Sequence, residues 1–480
     1  MAAQEATFRA KVVNGFLWLS VGTFVGQLIG WASTIIVIRL LLPKDYGLMA
    51  MASSVISILT TFSELGVGAS IVQSERMAEK EIRQINGFVI ASSAAGWLLC
   101  HMAAPLAALF YHEPDLVLIL RVMNINLLLI ALYIVPQALF IREMNFRSKA
   151  TIEVSAHIVS ALLTLVLALF GWGVWSLIIG TISLNAIKAI VFNLARAVRY
   201  LPQFDYRGAE QHITYGATLT GSRLLYSLYN ISDTIIIGKF LGQYALGLYA
   251  VALNLASIPA EKVLPLVNQI SFSSYARIQD DRERIRRNLL RTTRLIAFSG
   301  FPIFWGMAAV AQEAIPIILG AKWASAVLPF QLLCIVLPLK ALGPVLASTL
   351  NAIGEARISL TNTVFAGVVM VVAFLIGVQE GIMGVCLAWI VAFPVVFLVT
   401  TVRSVRVLGI AVRRYLSEIT FPFFASATMI GVVFLARTII TPSPLYSLML
   451  FMAIGMLCYL TMTLLFRKNE FMEMKALLHR

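Results

Sequence analysis

Residues Arg39 to Ala52 read RLLLPKDYGLMAMA, and residues Lys239 to Ala252 read KFLGQYALGLYAVA. Each is a cation, an apolar turn and a polar turn, then Gly-Leu followed by alternating alanines. At an offset of 200 residues Leu41 falls on Leu241, Gly47 on Gly247, Leu48 on Leu248, Ala50 on Ala250 and Ala52 on Ala252. The same corner is written twice, which marks a duplication. The fold follows from what surrounds the two copies.

What surrounds them is apolar. Of 480 residues 60% are hydrophobic and only 12% charged, with a mean hydropathy of +0.87. A soluble domain carries roughly 25% charged residues, so this chain cannot cover a surface facing water and is an integral membrane protein. A spanning helix needs ~20 apolar residues, whereas a barrel strand needs ~10 in alternation. The runs here are long and do not alternate. They predict about 14 transmembrane helices, near 12–38, 47–69, 85–111, 116–140, 151–171, 173–195, 212–237, 243–265, 295–319, 326–351, 358–378, 381–402, 416–436 and 445–466. The first of these is expected to serve as its own insertion signal, because no short apolar region with a small-residue cleavage site precedes it.

Each corner follows the first span of a block of six. Six is even, so both blocks enter the membrane in one orientation. The expectation is two six-helix lobes related by a pseudo-two-fold axis along the membrane normal, with two further helices at the C-terminus. The corresponding ranges are 1–205, 206–410 and 411–480. Such halves, facing across a central cleft, suit alternating access. Pro136, Pro259, Pro265, Pro302, Pro329, Pro338, Pro344 and Pro394 are expected to interrupt or end spans, since proline removes a backbone donor, though many would be tolerated where neighbours satisfy the freed groups.

Charge sets the orientation. With both termini cytoplasmic, about 28 of the 37 Lys and Arg residues fall on the cytoplasmic side, as the positive-inside rule requires. This accounts for most of the net +14 and removes nucleic-acid binding as its explanation. The run ARIQDDRERIRRNLLRTTR (Ala276–Arg294) reads as a loop anchoring the topology, or else as a surface helix drawn to anionic headgroups. Cys100, Cys334, Cys386 and Cys458 sit in apolar runs at no metal-ligand spacing, and read as small core residues. There is no GxxxxGK[ST] phosphate loop, HExxH or GxSxG motif, and the loops leave no room for a catalytic domain. The chain is not expected to be an enzyme or to need a cofactor or metal.

Ionisable groups within spans are costly and mark function. Arg223 and Lys340 lie mid-span, roughly 15–20 Å from either end, too far to snorkel easily. Lys188 is nearer the cytoplasmic end and can snorkel; Arg39, Arg121 and Lys239 lie near the outer face. The acids in or near spans are Glu64, Glu153, Asp233 and Glu261, and the histidines are His101 and His157. Asp233 is ten residues beyond Arg223, about 15 Å along a helix and out of pairing range. His157 shares a helix face with Glu153, as a packing pair or as a proton relay. Gln27, Asn124, Asn126, Asn185, Asn254 and Asn351 offer neutral hydrogen bonds, either to sugar hydroxyls or to neighbouring helices. Mid-membrane cations with few central acids suit an anionic cargo, and a guanidinium holds phosphate oxygens in a bidentate way.

The stretch RLLLPKDYGLMAMASSVISILTTFSELGVGASIVQ (Arg39–Gln73) resembles the amino-terminal signature of Wzx-type polysaccharide transporters, in the superfamily of multidrug, oligosaccharidyl-lipid and polysaccharide exporters. SDTIIIGKFLGQYALGLYAVALNLASIPAEKVLPLVNQISFSSYARIQDD (Ser232–Asp281) resembles the segment that opens the second lobe; Phe272-Ser273 stands where the family often has Phe-Pro. The resemblance implies flipping of undecaprenyl-diphosphate-linked oligosaccharide units to the periplasmic leaflet of a bacterial inner membrane. It also implies that the membrane lipids and the polymerase and chain-length or export proteins of one pathway are partners. Arg223, Lys340, Arg39, Arg121, Lys188, Lys239, Gln27 and Asn124 are then the candidate substrate contacts. Asp233, Glu64, His157 and Glu153 are the candidates for coupling to an ion gradient. A drug or metabolite antiporter of the same superfamily is the alternative; it expects carboxylates to dominate. An intramembrane glycosyltransferase or polymerase subunit would need an acid–base cluster that the sequence does not display.

Overall fold

The computed structural model describes residues 30–64, 71, 78–195, 201–205, 210–277, 281–440 and 443–468, with the side chains of 62–64, 210–220, 222–223 and 261–277 outside that description. The chain divides into two compact units, Met1–Ile231 and Ser232–Arg480. In the first, α1 (Gly30–Leu40) is followed by α2 (Pro43–Glu64), α3 (Glu79–Tyr111), α4 (Leu116–Met123), α5 (Ile125–Arg142), α6 (Phe146–Leu169) and α7 (Val174–Leu194). The long helix α8 (Glu210–Arg277) carries the unit boundary. The second unit continues with α9 (Arg282–Leu319), α10 (Val327–Ala352), α11 (Ala356–Gly377), α12 (Gly381–Val407), α13 (Val412–Ile439) and α14 (Pro444–Phe466). Every regular element among the described residues is helical. Among the described residues, ten stretches are long and apolar enough to cross a membrane.

The two copies of the corner both break the helix, and at the same register. In the first, Leu41 and Leu42 separate α1 from α2. Leu42 N–H donates to Asp45 Oδ2 at 2.9 Å, and Asp45 N–H donates to Leu42 O at 3.0 Å. Asp45 thereby satisfies an orphan donor at the helix start. In the second, Gly242 stands at φ 77°, ψ −178° inside α8, a conformation essentially confined to glycine. One corner is closed by a carboxylate and the other by a residue without a Cβ.

The surface is that of a protein solvated by lipid. Leu98, Leu99, Met102, Leu106 and Leu109 on α3 and Met449, Met452, Met456 and Leu457 on α14 are exposed, while Asn124, Asn126, Asn185 and Asp233 are buried. Helix α11 packs on α12 through Gly377 and Gly384. A Cβ on either glycine would collide with the carbonyl oxygen of the other.

The structure decides two points that the sequence left open. Arg282–Arg294 is helix rather than loop, forming the first turns of α9. Asp281 caps it, its Oδ1 accepting from Arg284 N–H at 2.9 Å. Ile285, Leu289, Leu290 and Thr293 are buried, so a helical apolar stripe hidden among arginines folds this segment onto the unit. Most of the prolines are tolerated rather than disruptive. Pro136, Pro302, Pro338, Pro344 and Pro394 all lie inside continuous helices, because neighbouring helices can satisfy the freed backbone groups. The breaks fall instead at Leu41–Leu42, Asn124, Gly242 and the turn before Gly381.

Two bidentate ion pairs lock α13 alongside α9. Arg294 Nε and Nη2 donate to Glu418 at 2.6 and 3.1 Å; Arg437 Nε and Nη2 donate to Glu313 at 3.1 and 2.8 Å. Both partners are 124 residues apart, so the helices run parallel. The pairs lie about 28 Å apart along the axis, close to the ~30 Å of the hydrocarbon core. Each therefore sits near one face, where partial hydration makes an ion pair tolerable.

Candidate functional site

The second corner assembles a continuous polar chain within the second unit. Asp233 lies on the first limb of α8 and Tyr249 on the second. The reversal at Gly242 brings them together, and Tyr249 Oη donates to Asp233 Oδ2 at 2.5 Å. Asp233 is 1% exposed, and its Oδ1 accepts from Thr234 N–H at 2.7 Å. On α12, Trp389 Nε1 donates to Tyr249 Oη at 2.9 Å. The Lys340 ammonium of α10 sits over the Trp389 ring, 4.4 Å from its centroid, and Phe374 and Phe393 pack on the same indole. A carboxylate, a phenol, an indole and an ammonium are thus linked in sequence across three helices.

The charges explain the geometry. Asp233 needs donors because an unpaired buried carboxylate is prohibitive, and the short bond from Tyr249 is charge-assisted. Lys340 makes no ion pair with a carboxylate among the described residues. Its charge is balanced by the face of Trp389, a contact worth about 0.5–2 kcal/mol, and through space by Asp233. The ammonium is therefore held without being bonded to an acid. Such a row of linked polar groups can hold and move charge.

The first unit holds a neutral counterpart. Tyr133 Oη donates to Asn185 Oδ1 at 3.2 Å, Asn185 Nδ2 to Asn126 Oδ1 at 2.8 Å, and Asn126 Nδ2 to Met123 O at 2.9 Å. Lys188 lies 5.9 Å from the centroid of the Tyr133 ring. Asn126 and Asn185 thus bond between helices. Nearby, Glu153 accepts from Gln137 at 2.8 Å and from Lys149 at 3.1 Å.

The remaining candidates are spread out. Arg39 and Arg121 are exposed, Lys239 is half-buried beside the Gly242 break, His157 is exposed on α6 and Asn124 is fully buried. Gln27 and the side chains of Arg223 and Glu64 lie outside the described residues. Lys340 and Asp233, assigned to separate tasks on the sequence, belong to one chain. Tyr249 and Trp389, which join them, carried no sequence signal beyond Tyr249 being the polar residue where the first corner has Met49.

A family described as polysaccharide biosynthesis protein matches residues 36–328, and this chain belongs to it. Among relatives, the lipopolysaccharide biosynthesis protein WzxC of Escherichia coli is 26% identical over 428 residues, 88% of this chain and 86% of that one. The teichuronic acid biosynthesis protein TuaB of Bacillus subtilis is 26% identical over 407 residues, 83% of each chain. The succinoglycan biosynthesis transport protein ExoT of Rhizobium meliloti is 28% identical over 331 residues, 67% of this chain and 65% of that one. Among solved structures, the lipid II flippase MurJ in an inward closed conformation superposes with a TM-score of 0.76 at 13% identity, covering 94% of this chain and 99% of that one. An inward-facing multidrug resistance MATE family transporter gives 0.57 at 15% identity, covering 85% and 95%. The likeness to both structures is one of fold.

Proposed function

We propose that this protein flips polyprenyl-diphosphate-linked oligosaccharide units, in bacteria the undecaprenyl form, from the cytoplasmic to the periplasmic leaflet during the synthesis of a surface polysaccharide. Family membership and the names of the relatives support the pathway. The observation that carries the mechanism is Lys340: an ammonium within an apolar helix, poised on Trp389 and bonded to no carboxylate among the described residues. It is available to the oxygens of an anionic headgroup, and Asp233 at the other end of the chain is a candidate for coupling ion movement to release. The weak hold on Lys340 disfavours the antiporter of cationic drugs, for which carboxylates would have to be available.

In this reading Arg223, Arg39, Arg121, Lys188, Lys239, Gln27 and Asn124 supply further contacts to cargo, and Glu64, Glu153 and His157 further sites for ion coupling. The chain crosses the inner membrane fourteen times with both termini cytoplasmic. Supporting this, two of the ten apolar stretches each contain a reversal, at Gly242 and before Gly381, and α1 and α2 precede them. The chain acts by transport rather than catalysis, alongside a polymerase and export proteins.

The test is a strain carrying Lys340→Gln. At normal membrane levels of the variant, surface polymer falls at least tenfold and lipid-linked units accumulate on the cytoplasmic leaflet, while Lys340→Arg retains part of the activity. Wild-type polymer from Lys340→Gln would remove this lysine from the transport path.

A further inference from the structure

A second polar cluster, in the first unit, is left unsatisfied by the fold. Trp97 and His101 are one turn apart on α3, their rings 5.4 Å between centroids. Asn124, fully buried, donates from Nδ2 to Trp97 O at 3.2 Å. Three atoms of this group have no partner and no access to solvent: Trp97 Nε1, His101 Nδ1 and Asn124 Oδ1. They supply a donor, an imidazole nitrogen and an acceptor. Leaving such groups unpaired in a span is costly, and a native structure that does so needs a reason.

The backbone beside them offers one. Asn124 is at once the last cap of α4 and the first cap of α5, a break inside one apolar stretch, Leu116–Arg142. Asn124 itself stays near helical, at φ −66° and ψ −12°, so the interruption is a single residue at which the helix can bend. Both aromatic residues are only half-buried, so one side of each is already open to an approaching molecule.

We propose that Trp97, His101 and Asn124 form a closed binding site for the hydroxyl groups of an uncharged sugar, opened by bending at Asn124 as the glycan passes. Aromatic faces receive the apolar face of a pyranose, and the three orphan atoms receive its hydroxyls. No charged side chain among the described residues bonds to the trio, which is why the ligand is neutral rather than a phosphate or a uronate. The inference rests on the flippase reading and assigns its glycan, rather than its headgroup, to the first unit.

The experiment measures binding of two probes to the full chain in lipid nanodiscs: undecaprenyl diphosphate, and the same lipid bearing a neutral oligosaccharide. The wild type should bind the glycosylated lipid more tightly than the bare one. Trp97→Phe, which removes the N–H and keeps an aromatic ring, should weaken binding of the glycosylated lipid roughly tenfold, as expected for one lost hydrogen bond that leaves its partner unpaired. His101→Phe should do the same, and neither should change binding of the bare lipid. Variants that bind the glycosylated lipid as the wild type does would overturn the site and leave the flippase reading standing. So would a wild type that binds both lipids equally. A wild type that binds neither lipid would overturn the flippase reading itself. Trp97→Phe alone decides the question if His101→Phe is not recovered folded.

Discussion

The repeated corner builds two different interiors. At an offset of 200 residues Ser33 occupies the place of Asp233, and Met49 that of Tyr249. Ser33 donates to Ala161 O at 2.8 Å and is thereby satisfied; Asp233 instead begins a chain that ends on an ammonium. The cations differ in the same sense. Lys188 rests over Tyr133, behind which stand two amides; Lys340 rests over Trp389, behind which stand a phenol and a carboxylate. The break in the helix falls at the same register in both corners, while Asp233 and Tyr249 stand where the first has Ser33 and Met49. A neutral chain fixes helices against each other at little electrostatic cost, whereas a charged chain in a low dielectric responds strongly to any charge brought near it.

The largest effect should come from giving the second corner the first corner's residue. Asp233→Ser takes from Tyr249 the carboxylate that accepts its hydrogen bond and from Lys340 the charge that balances it through space; losing a charge-assisted buried hydrogen bond and leaving its partner unpaired costs about 3 kcal/mol. The purified protein should lose thermal stability sharply. Combining it with Lys340→Met should restore most of the loss, so a double variant as unstable as the single would show that packing, rather than charge, holds this chain together.

The backbone comparison is the next to test. Gly242→Ala forces a Cβ into a region reserved for glycine, costing about 1–3 kcal/mol, whereas Leu42→Ala leaves the Asp45 cap intact and should cost less. Equal melting temperatures for the two variants would mean that the corners are closed by the same device after all. The smallest effect belongs to the neutral unit. Ser33→Ala removes one interhelical hydrogen bond, worth about 0.6 kcal/mol within a membrane, and should leave transport of lipid-linked glycan unchanged. A Ser33→Ala variant that fails to transport would erase the distinction between structural and working corners.

Some of this was legible in the residues. The two corners, the helical spans and the exceptional positions of Lys340 and Asp233 follow from local pattern and from the cost of charge in lipid. Two points stayed open for the same reason. Loop and surface helix were both readings of the Arg282–Arg294 stretch, because its arginines mask the buried stripe of Ile285, Leu289, Leu290 and Thr293. Nor could the sequence say which prolines break a span and which are tolerated, because a single chain gives no view of the neighbours that accommodate them.

By itself the sequence determined the class of molecule: composition excludes a water-facing surface, run length selects helices, and one corner recurs at an offset of 200 residues. Only the tertiary structure decided what each half contains. Asp233, Tyr249, Lys340 and Trp389 are separated by up to 156 positions, and Trp97 and Asn124 by 27. Hydrogen bonds and cation–ring contacts act over a few ångströms, so they become visible only when helices distant in sequence are packed side by side.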